Sequence, residues 1–521
     1  MIFRAPEDPI AIPEVPLTPF LLERAASCGE RPAFIDGPSG RTLTYRSWAD
    51  AVRKTAASLV KRGLRKGDVF AIYSPNLPEY AVAFHAVSLA GGIVTTINPL
   101  YTPAELSQQL QDAGARYLVT VPSCLAKAEA AIRESGLREL FVFGEGDGVT
   151  PFAALLGTDS EVPAVDIDPR KDLVTLPYSS GTTGLPKGVM LTHYNLVANI
   201  LQSDRGLGLR ESDVMLGVLP FFHIYGLLVI MNLALHNGAS VVTMPRFDLE
   251  QCLELLQKYR VTFAPVVPPI VLALAKHPIV EKYDLSRLRI VFSGAAPLGA
   301  NIARAASDRL GCLVVQGYGL TETSPVTHAT RVTGDYDVAG IGPPLVNTEA
   351  KIVDVTTGLE LGPNQEGEIC IRGPQVMKGY LNQPAATAAM VDLDGWLHTG
   401  DVGYADEDAC FFVVDRVKEL IKYKGLQVAP AELEAVLLSH ASVADAAVIP
   451  LRHDEAGEVP KAFVVLKDSV TADELMSYVA ERVAPYKKVR CVEFIDQIPK
   501  SASGKILRRV LVERDRAANH G

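Results

Sequence analysis

Residues 178–189 read Tyr-Ser-Ser-Gly-Thr-Thr-Gly-Leu-Pro-Lys-Gly-Val, and no other stretch limits the possible folds so much. Two apolar runs flank it, Leu173 to Leu176 and Val189 to Leu191, and Thr192 then stands as the N-cap of a helix. The reading is a small polar loop between two strands. Its glycines, Gly181 and Gly184 among them, let backbone N–H groups close on an anion. Ser179, Ser180, Thr182 and Thr183 add hydroxyls, and Lys187 adds a point charge. That is chemistry for phosphate. The frame is not a Walker A loop, because Pro186 and Gly188 stand where glycine and a hydroxyl residue are required. With no hydroxyl after the lysine, the Mg²⁺ of a bound nucleotide has to be held elsewhere.

A chain of 521 residues is too long for one core, so two or more domains are expected. A net charge of −10 argues against a nucleic-acid-binding surface. The seven cysteines are scattered and form no C-x-x-C pair. Their spacing predicts reduced thiols in a cytoplasmic protein, with neither a disulfide framework nor a zinc site. Met1 to Pro16 lacks the apolar centre of a signal peptide, and the final Ala-Asn-His-Gly is no peroxisomal address. Val214 to Leu235 is apolar but interrupted by Pro220, His223, Gly226 and Asn232. A buried strand, a turn and a buried helix fit it better than an integral membrane segment.

Strands alternate with helices along the first part of the chain. Arg41 to Tyr45 alternates as a strand, and Tyr45 to Arg62 is an amphipathic helix. Val69 to Tyr73, Ile93 to Ile97 and Tyr117 to Val121 read as strands. Between them lie helices at Pro78 to Ala90 and Thr102 to Ala113, the second opened by a Thr102–Glu105 capping box. This alternation predicts parallel sheets covered by helices. Residues 144–170 read as a connecting loop. A second alternating block from Thr192 to about Arg331 contains strands at Ser240 to Met244, Phe263 to Val267 and Leu288 to Ser293, and a helix at Leu249 to Lys258. From Ile341 to Val414, short alternating strands between Gly and Pro turns suggest a β-subdomain. After Asp415 basic residues multiply, and a small α+β domain follows. Its helices are read at Pro430 to Ser439 and Ala472 to Val483, and its strands at Ala446 to Ile449, Ala462 to Leu466 and Cys491 to Ile495. The expected division is 1–415, a hinge at 416–418, and a mobile 419–521.

Several strings stand out. Residues 219–226 read Leu-Pro-Phe-Phe-His-Ile-Tyr-Gly, and 293–299 read Ser-Gly-Ala-Ala-Pro-Leu-Gly. Residues 316–326 read Gln-Gly-Tyr-Gly-Leu-Thr-Glu-Thr-Ser-Pro-Val, and 396–404 read Trp-Leu-His-Thr-Gly-Asp-Val-Gly-Tyr. Residues 415–427 read Asp-Arg-Val-Lys-Glu-Leu-Ile-Lys-Tyr-Lys-Gly-Leu-Gln, and 499–508 read Pro-Lys-Ser-Ala-Ser-Gly-Lys-Ile-Leu-Arg. Taken singly each has a plain explanation: a strand-ending turn, a core histidine, a solvated lysine stripe. Taken with the Ser/Thr/Gly loop, they resemble the acyl-adenylate-forming superfamily of acyl-CoA synthetases, beetle luciferases and peptide-synthetase adenylation domains. The resemblance runs from about Leu43 to Arg509. Within the superfamily it is closest to 4-coumarate–CoA ligases, whose second signature box is similar to Gly-Glu-Ile-Cys-Ile-Arg-Gly at 367–373.

The resemblance implies roles. Ser179 to Gly184 and Lys187 would cradle phosphates, with Gln316, Gly317 and Ala295 beside the nucleotide. Tyr318 would stack on adenine, Thr321 would bond the α-phosphate, and Glu322 would hold Mg²⁺ as a hard oxygen ligand. Asp401 would accept from both ribose hydroxyls, with Arg416 beside it. His223 would border the substrate carboxylate. Tyr225, Val229, Ala295, Gly319, Pro325 and Val326 would line the acyl pocket. Lys505 would lie between carboxylate and α-phosphate, two anions that need a cation to approach each other. Lys418 would be the hinge, and Lys422 and Gln427 would reach the adenylate in a second half-reaction. Lys424 and Gly425 would line the pantetheine tunnel, and Arg246 would meet a CoA phosphate.

Three positions depart from the plant pattern: Thr323-Ser324 in place of Ala-Gly, Phe292 in place of a lysine, and Val229 in place of a small polar residue. Phe292 and Val229 make an apolar pocket the expectation.

The implied fold is α/β. It has a large N-terminal domain of parallel αβ sheets with a β-subdomain, and a small mobile α+β C-terminal domain. The implied activity joins a cinnamate- or 4-coumarate-type acid to CoA through an acyl-AMP, using ATP and Mg²⁺, in a cytoplasmic monomer or homodimer. A medium- or long-chain fatty acid is the alternative substrate, and a luciferase-like oxygenase the alternative activity.

Overall fold

The computed structural model describes residues 1–133, 136–157, 161, 164–179, 186–332, 337–424, 426–453, 456–501 and 504–519. Two eight-stranded sheets carry most of the chain. The first runs in the order Gly379–Tyr380, Lys187–Thr192, Leu173–Ser179, Ile93–Ile97, Val69–Tyr73, Ala115–Thr120, Glu139–Val142, Thr150–Pro151. It is parallel from Leu173–Ser179 onward, while the two strands before it pair antiparallel. The second runs Val326–Ala329, Leu313–Gly319, Ile290–Ser293, Phe263–Val266, Val214–Gly217, Ser240–Thr243, Pro32–Asp36, Thr42–Thr44. Its six central strands are parallel. Crossover helices cover both sheets, as strand–helix alternation requires.

The helices form for reasons readable in their residues. In Tyr45–Lys61 the buried positions Trp48, Val52, Ala56 and Leu59 recur at helical spacing, and Thr44 and Ser47 close a capping box. Thr102 and Glu105 do the same for Pro103–Ala113, and Gly114 ends that helix in the left-handed conformation. Trp48 and Tyr45 are fully buried in the main core, where each large apolar side chain contributes about 1.5–3 kcal/mol.

Met215 to Leu235 is buried, except at the turn around Pro220 to His223, and Val214 is half-buried. This stretch forms the strand Val214–Gly217, a wide π-helical turn at Gly226–Asn232 and the helix Leu233–Asn237. Among the described residues no helix is long and apolar enough to cross a membrane. Residues 144–170 differ from the expected loop. They contain the short strand Thr150–Pro151 and the 3-10 turn Phe152–Gly157, because Phe152 packs its ring 4.8 Å from Phe143.

A five-stranded antiparallel sheet follows in the order Phe3–Arg4, Glu349–Val353, Gly367–Arg372, Leu397–Ala405, Phe411–Arg416. A last sheet holds Leu426–Val428, Ile421–Tyr423, Gly457–Leu466 and Val443–His453, with Cys491–Phe494 alongside Gly457–Leu466. It has its own apolar cluster, built on Ile421, Leu433, Val448, Val464 and Leu475.

Candidate active site

The strands Leu173–Ser179 and Lys187–Thr192 are an antiparallel pair in which Ser179 faces Lys187. The phosphate-type loop is therefore a connection between strands, as expected. Ser180, Gly181, Thr182, Thr183 and Gly184 lie outside the described residues. Ser179 and Lys187 stand at the edge of a 1320 Å³ cavity. That cavity opens beyond the carboxyl ends of Leu173–Ser179, Ile290–Ser293 and Leu313–Gly319, the usual ligand position in open α/β sheets.

Residues far apart in sequence converge there. His223 and Tyr225 enter from the turn before the π-helical segment, and Ala295 from the end of Ile290–Ser293. Gly317, Tyr318, Gly319, Thr321, Glu322, Pro325 and Val326 supply one wall. Arg416, Lys418 and Lys505 close the cavity from the C-terminal side. Two close approaches explain the glycines of that wall. A Cβ on Gly319 would stand 1.8 Å from the Pro325 carbonyl oxygen, and one on Gly317 would stand 2.3 Å from Phe292 Cζ.

The polar groups are ordered by one another. The Tyr318 hydroxyl donates to Asp401 Oδ2 at 2.6 Å, and Arg416 Nε lies 3.0 Å from the other oxygen. Burial raises the Asp401 carboxyl above its ordinary range, while Arg416 and the Tyr318 hydroxyl pull the other way. Glu322 is buried, and its Oε1 accepts from the Tyr380 hydroxyl at 2.7 Å. The short strand of Tyr380, Gly379–Tyr380, pairs with the strand that carries Lys187, whose Nζ stands 5.0 Å from the Tyr380 ring.

His223 Nδ1 accepts the Tyr225 backbone N–H at 3.3 Å, and burial lowers its imidazole to about 4. A neutral ring at the cavity edge is the result. The Tyr225 hydroxyl donates to the Phe292 carbonyl oxygen at 2.9 Å. Burial, and then Arg416, lower the Lys505 ammonium, while Glu419 and Asp401 oppose the shift.

Some expected residues sit elsewhere. Val229 is fully buried in the π-helical turn, belongs to the main apolar core and is not part of the cavity lining. Gln316 is spent on backbone: it accepts from Leu298 N–H and donates to Leu298 and Val338 carbonyls. Lys422 and Gln427 are exposed partners on the hairpin Ile421–Tyr423/Leu426–Val428, outside the cavity lining, with Lys424 at its turn. Gly425 lies outside the described residues. Arg246 is exposed and is not part of the cavity lining.

The structure adds residues that sequence reasoning missed. Arg508 forks onto Glu434 with bonds of 2.7 and 2.8 Å, reaches Glu419, and donates to the Val448 carbonyl. Lys505 follows a turn in which Ser501 Oγ accepts its backbone N–H at 3.1 Å. Arg508 thus anchors the base of the loop that carries Lys505. Its one sequence signal was its place in the 499–508 string; Glu434 carried none.

Residues 21–381 match the AMP-binding enzyme family, and residues 432–505 match its C-terminal domain. The chain belongs to the AMP-binding enzyme family. It is 48% identical over 510 residues to a 4-coumarate–CoA ligase of Pinus taeda, covering 96% of this chain and 95% of that one. It is 47% identical over 526 residues to 4-coumarate–CoA ligase 5 of Oryza sativa subsp. japonica, covering 98% and 96%. Among solved structures, an anthranilate CoA ligase in complex with anthranoyl-AMP superposes with a TM-score of 0.90 at 26% identity, over 98% of this chain and 99% of that one. The α/β fold and family expected of this AMP-binding enzyme are thereby borne out.

Proposed function

We propose that this AMP-binding enzyme is an ATP-dependent carboxylate–CoA ligase acting on a cinnamate- or 4-coumarate-type acid. A carboxylate oxygen attacks the α-phosphorus of ATP, the bond to the β-phosphate oxygen breaks, and acyl-AMP and pyrophosphate form. The thiolate of CoA then attacks the acyl carbon, and AMP leaves. The thiol proton goes to solvent or to an acceptor at the cavity.

The residues have distinct work. Asp401 and Arg416 suit the ribose, Tyr318 the adenine face, and Ser179 and Lys187 the phosphates. Lys505 carries positive charge between the incoming carboxylate and the α-phosphate, at the point where charge develops. His223, neutral and with Nδ1 already accepting from Tyr225, can donate from Nε2 without adding a charge beside the carboxylate. Mg²⁺ fits Glu322, a buried carboxylate with one oxygen bound by Tyr380; there it would neutralise phosphate charge. CoA is the second substrate, with Arg246, Lys424 and Gly425 on its path.

The division at 1–415, 416–418 and 419–521 goes with this reading. Lys505 lines the cavity while Lys422 and Gln427 are exposed outside its lining, and a rotation about Lys418 would exchange them. A cytoplasmic monomer or homodimer completes the proposal.

The observation that carries it is the meeting of Lys505, Arg416, Glu322 and His223 at one cavity from distant parts of the chain, with Asp401 held behind its wall by Arg416 and Tyr318. ATP–pyrophosphate exchange over cinnamic, benzoic and aliphatic acids tests it, followed by CoA addition. Exchange with aryl-propenoic acids and thioester formation support the reading. Exchange with aliphatic acids alone, or ADP as product, overturns it.

A further inference from the structure

The spacing of the cysteines predicts no zinc site, yet among the described residues folding assembles one candidate set of ligands. Gly367–Arg372 and Leu397–Ala405 are antiparallel neighbours, and Cys370 stands directly opposite His398. Glu368 lies two residues from Cys370 and so shares its face of the sheet. His398 Nδ1 is 3.0 Å from Glu368 Oε2 and 3.5 Å from Cys370 Sγ. One ligand atom from each of the three lies within 4.8 Å of the others. Tetrahedral zinc bonds of about 2.0–2.3 Å hold their ligand atoms roughly 3.3–3.7 Å apart. The two separations from His398 Nδ1 are therefore already near what one small cation imposes, and the third lies within 4.8 Å.

We propose that Glu368, Cys370 and His398 form a binding site for a borderline divalent transition-metal ion of the zinc or cobalt type. Thiolate, imidazole and carboxylate are the donor set such ions select over Mg²⁺, which prefers oxygen alone. The surroundings support it. Glu368 Oε1 accepts the Gly400 backbone N–H at 2.9 Å, which orients the carboxylate. Asp392 Oδ2 lies 3.6 Å from His398 Nε2, so a carboxylate stands on the side opposite the metal-facing nitrogen. Metal-bound histidines commonly have such a partner, and it sets the tautomer.

Glu368 and His398 line the large cavity, so an ion enters from there, while Cys370 is fully buried beneath them against Val353 and Trp396. Burial, with Glu368 next, pushes the Cys370 thiol up to about 12. The incoming M²⁺ displaces that proton to water, and the thiolate and carboxylate then balance its two charges. A cavity water completes four-coordination. The site is separate from Glu322.

Chelator-treated enzyme titrated with Co²⁺ tests this. The expected result is one equivalent bound, with thiolate-to-cobalt charge-transfer absorption in the near ultraviolet that Zn²⁺ abolishes on addition. Cys370→Ala should lose that absorption, and His398→Gln should weaken binding at least tenfold. No thiolate band in the wild-type enzyme overturns the proposal without any variant. A band that survives in both Cys370→Ala and His398→Gln also overturns it, and assigns the metal to the half-buried Cys410 or Cys491.

Discussion

The wall between Gly317 and Phe292 has no room for one methyl group. A Cβ at Gly317 would lie 2.3 Å from Phe292 Cζ and 2.8 Å from its Cε2. The ring has little space to retreat. Phe292 is 1% exposed, and its centroid is 6.0 Å from that of Tyr225 and 6.3 Å from that of Phe263. Overpacking of this kind typically costs about 1–3 kcal/mol. Tyr225 and Phe292 both line the cavity, so part of the displacement falls on the acyl pocket. If it is all expressed in the transition state, kcat/KM for cinnamate in Gly317→Ala falls roughly 5- to 150-fold. Phe292→Leu removes the far end of the ring, and the double variant should recover most of the loss. A coupling of about 0.5–3 kcal/mol is normal for residues in contact. The assay is kcat/KM and Tm for all four members of the cycle. Wild-type values in Gly317→Ala, or losses that simply add in the double variant, refute the reasoning.

Three further outcomes follow from the same geometry. The Tyr225 hydroxyl already donates to the Phe292 carbonyl, and leaving a buried phenol unpaired costs about 1–3 kcal/mol. Cinnamate or hydrocinnamate should therefore match or exceed 4-coumarate in kcat/KM; a tenfold preference for 4-coumarate counts against an apolar pocket. Glu322→Gln should raise the Mg²⁺ concentration needed for pyrophosphate exchange, and an unchanged Mg²⁺ titration removes Glu322 from the metal's ligands. Lys418→Pro locks φ near −65° at the hinge and should keep exchange while losing thioester formation; intact overall turnover contradicts a swing about that residue.

Local chemistry was the legible part of this fold. Val69–Tyr73, Leu249–Lys258 and Pro430–Ser439 occupy the residues that their periodicity indicates. The capping box at Thr102 and Glu105 has both its bonds. What could not be read depends on partners remote in sequence. Phe3–Arg4 becomes a strand because Ala350 and Glu349 offer it a sheet edge, and Pro32–Asp36 because it lies parallel to Ser240–Thr243. The hairpin of Val443–His453 and Gly457–Leu466 runs past its apolar centre, because paired backbone groups extend it through Arg452 and Glu458. The same division holds at the site. Tyr318, Glu322, Asp401 and Lys505 were visible as members of unbroken strings. Val229, assigned to the acyl pocket by resemblance, is buried in a π-helical segment outside the cavity lining, a local geometry that the string itself does not announce. The Arg508–Glu434 pair and the Glu368–Cys370–His398 cluster join side chains whose spacing carries no signal.

The central claim is that Lys505 supplies charge while the adenylate forms and is dispensable afterwards. Lys505→Ala separates the two halves directly. Removing one stabilising donor at a reacting centre typically costs about 10²–10³ in rate. The account predicts that loss in ATP–pyrophosphate exchange, with near wild-type conversion of added acyl-adenylate and CoA into thioester. Equal damage to both half-reactions, or exchange that survives intact, contradicts it.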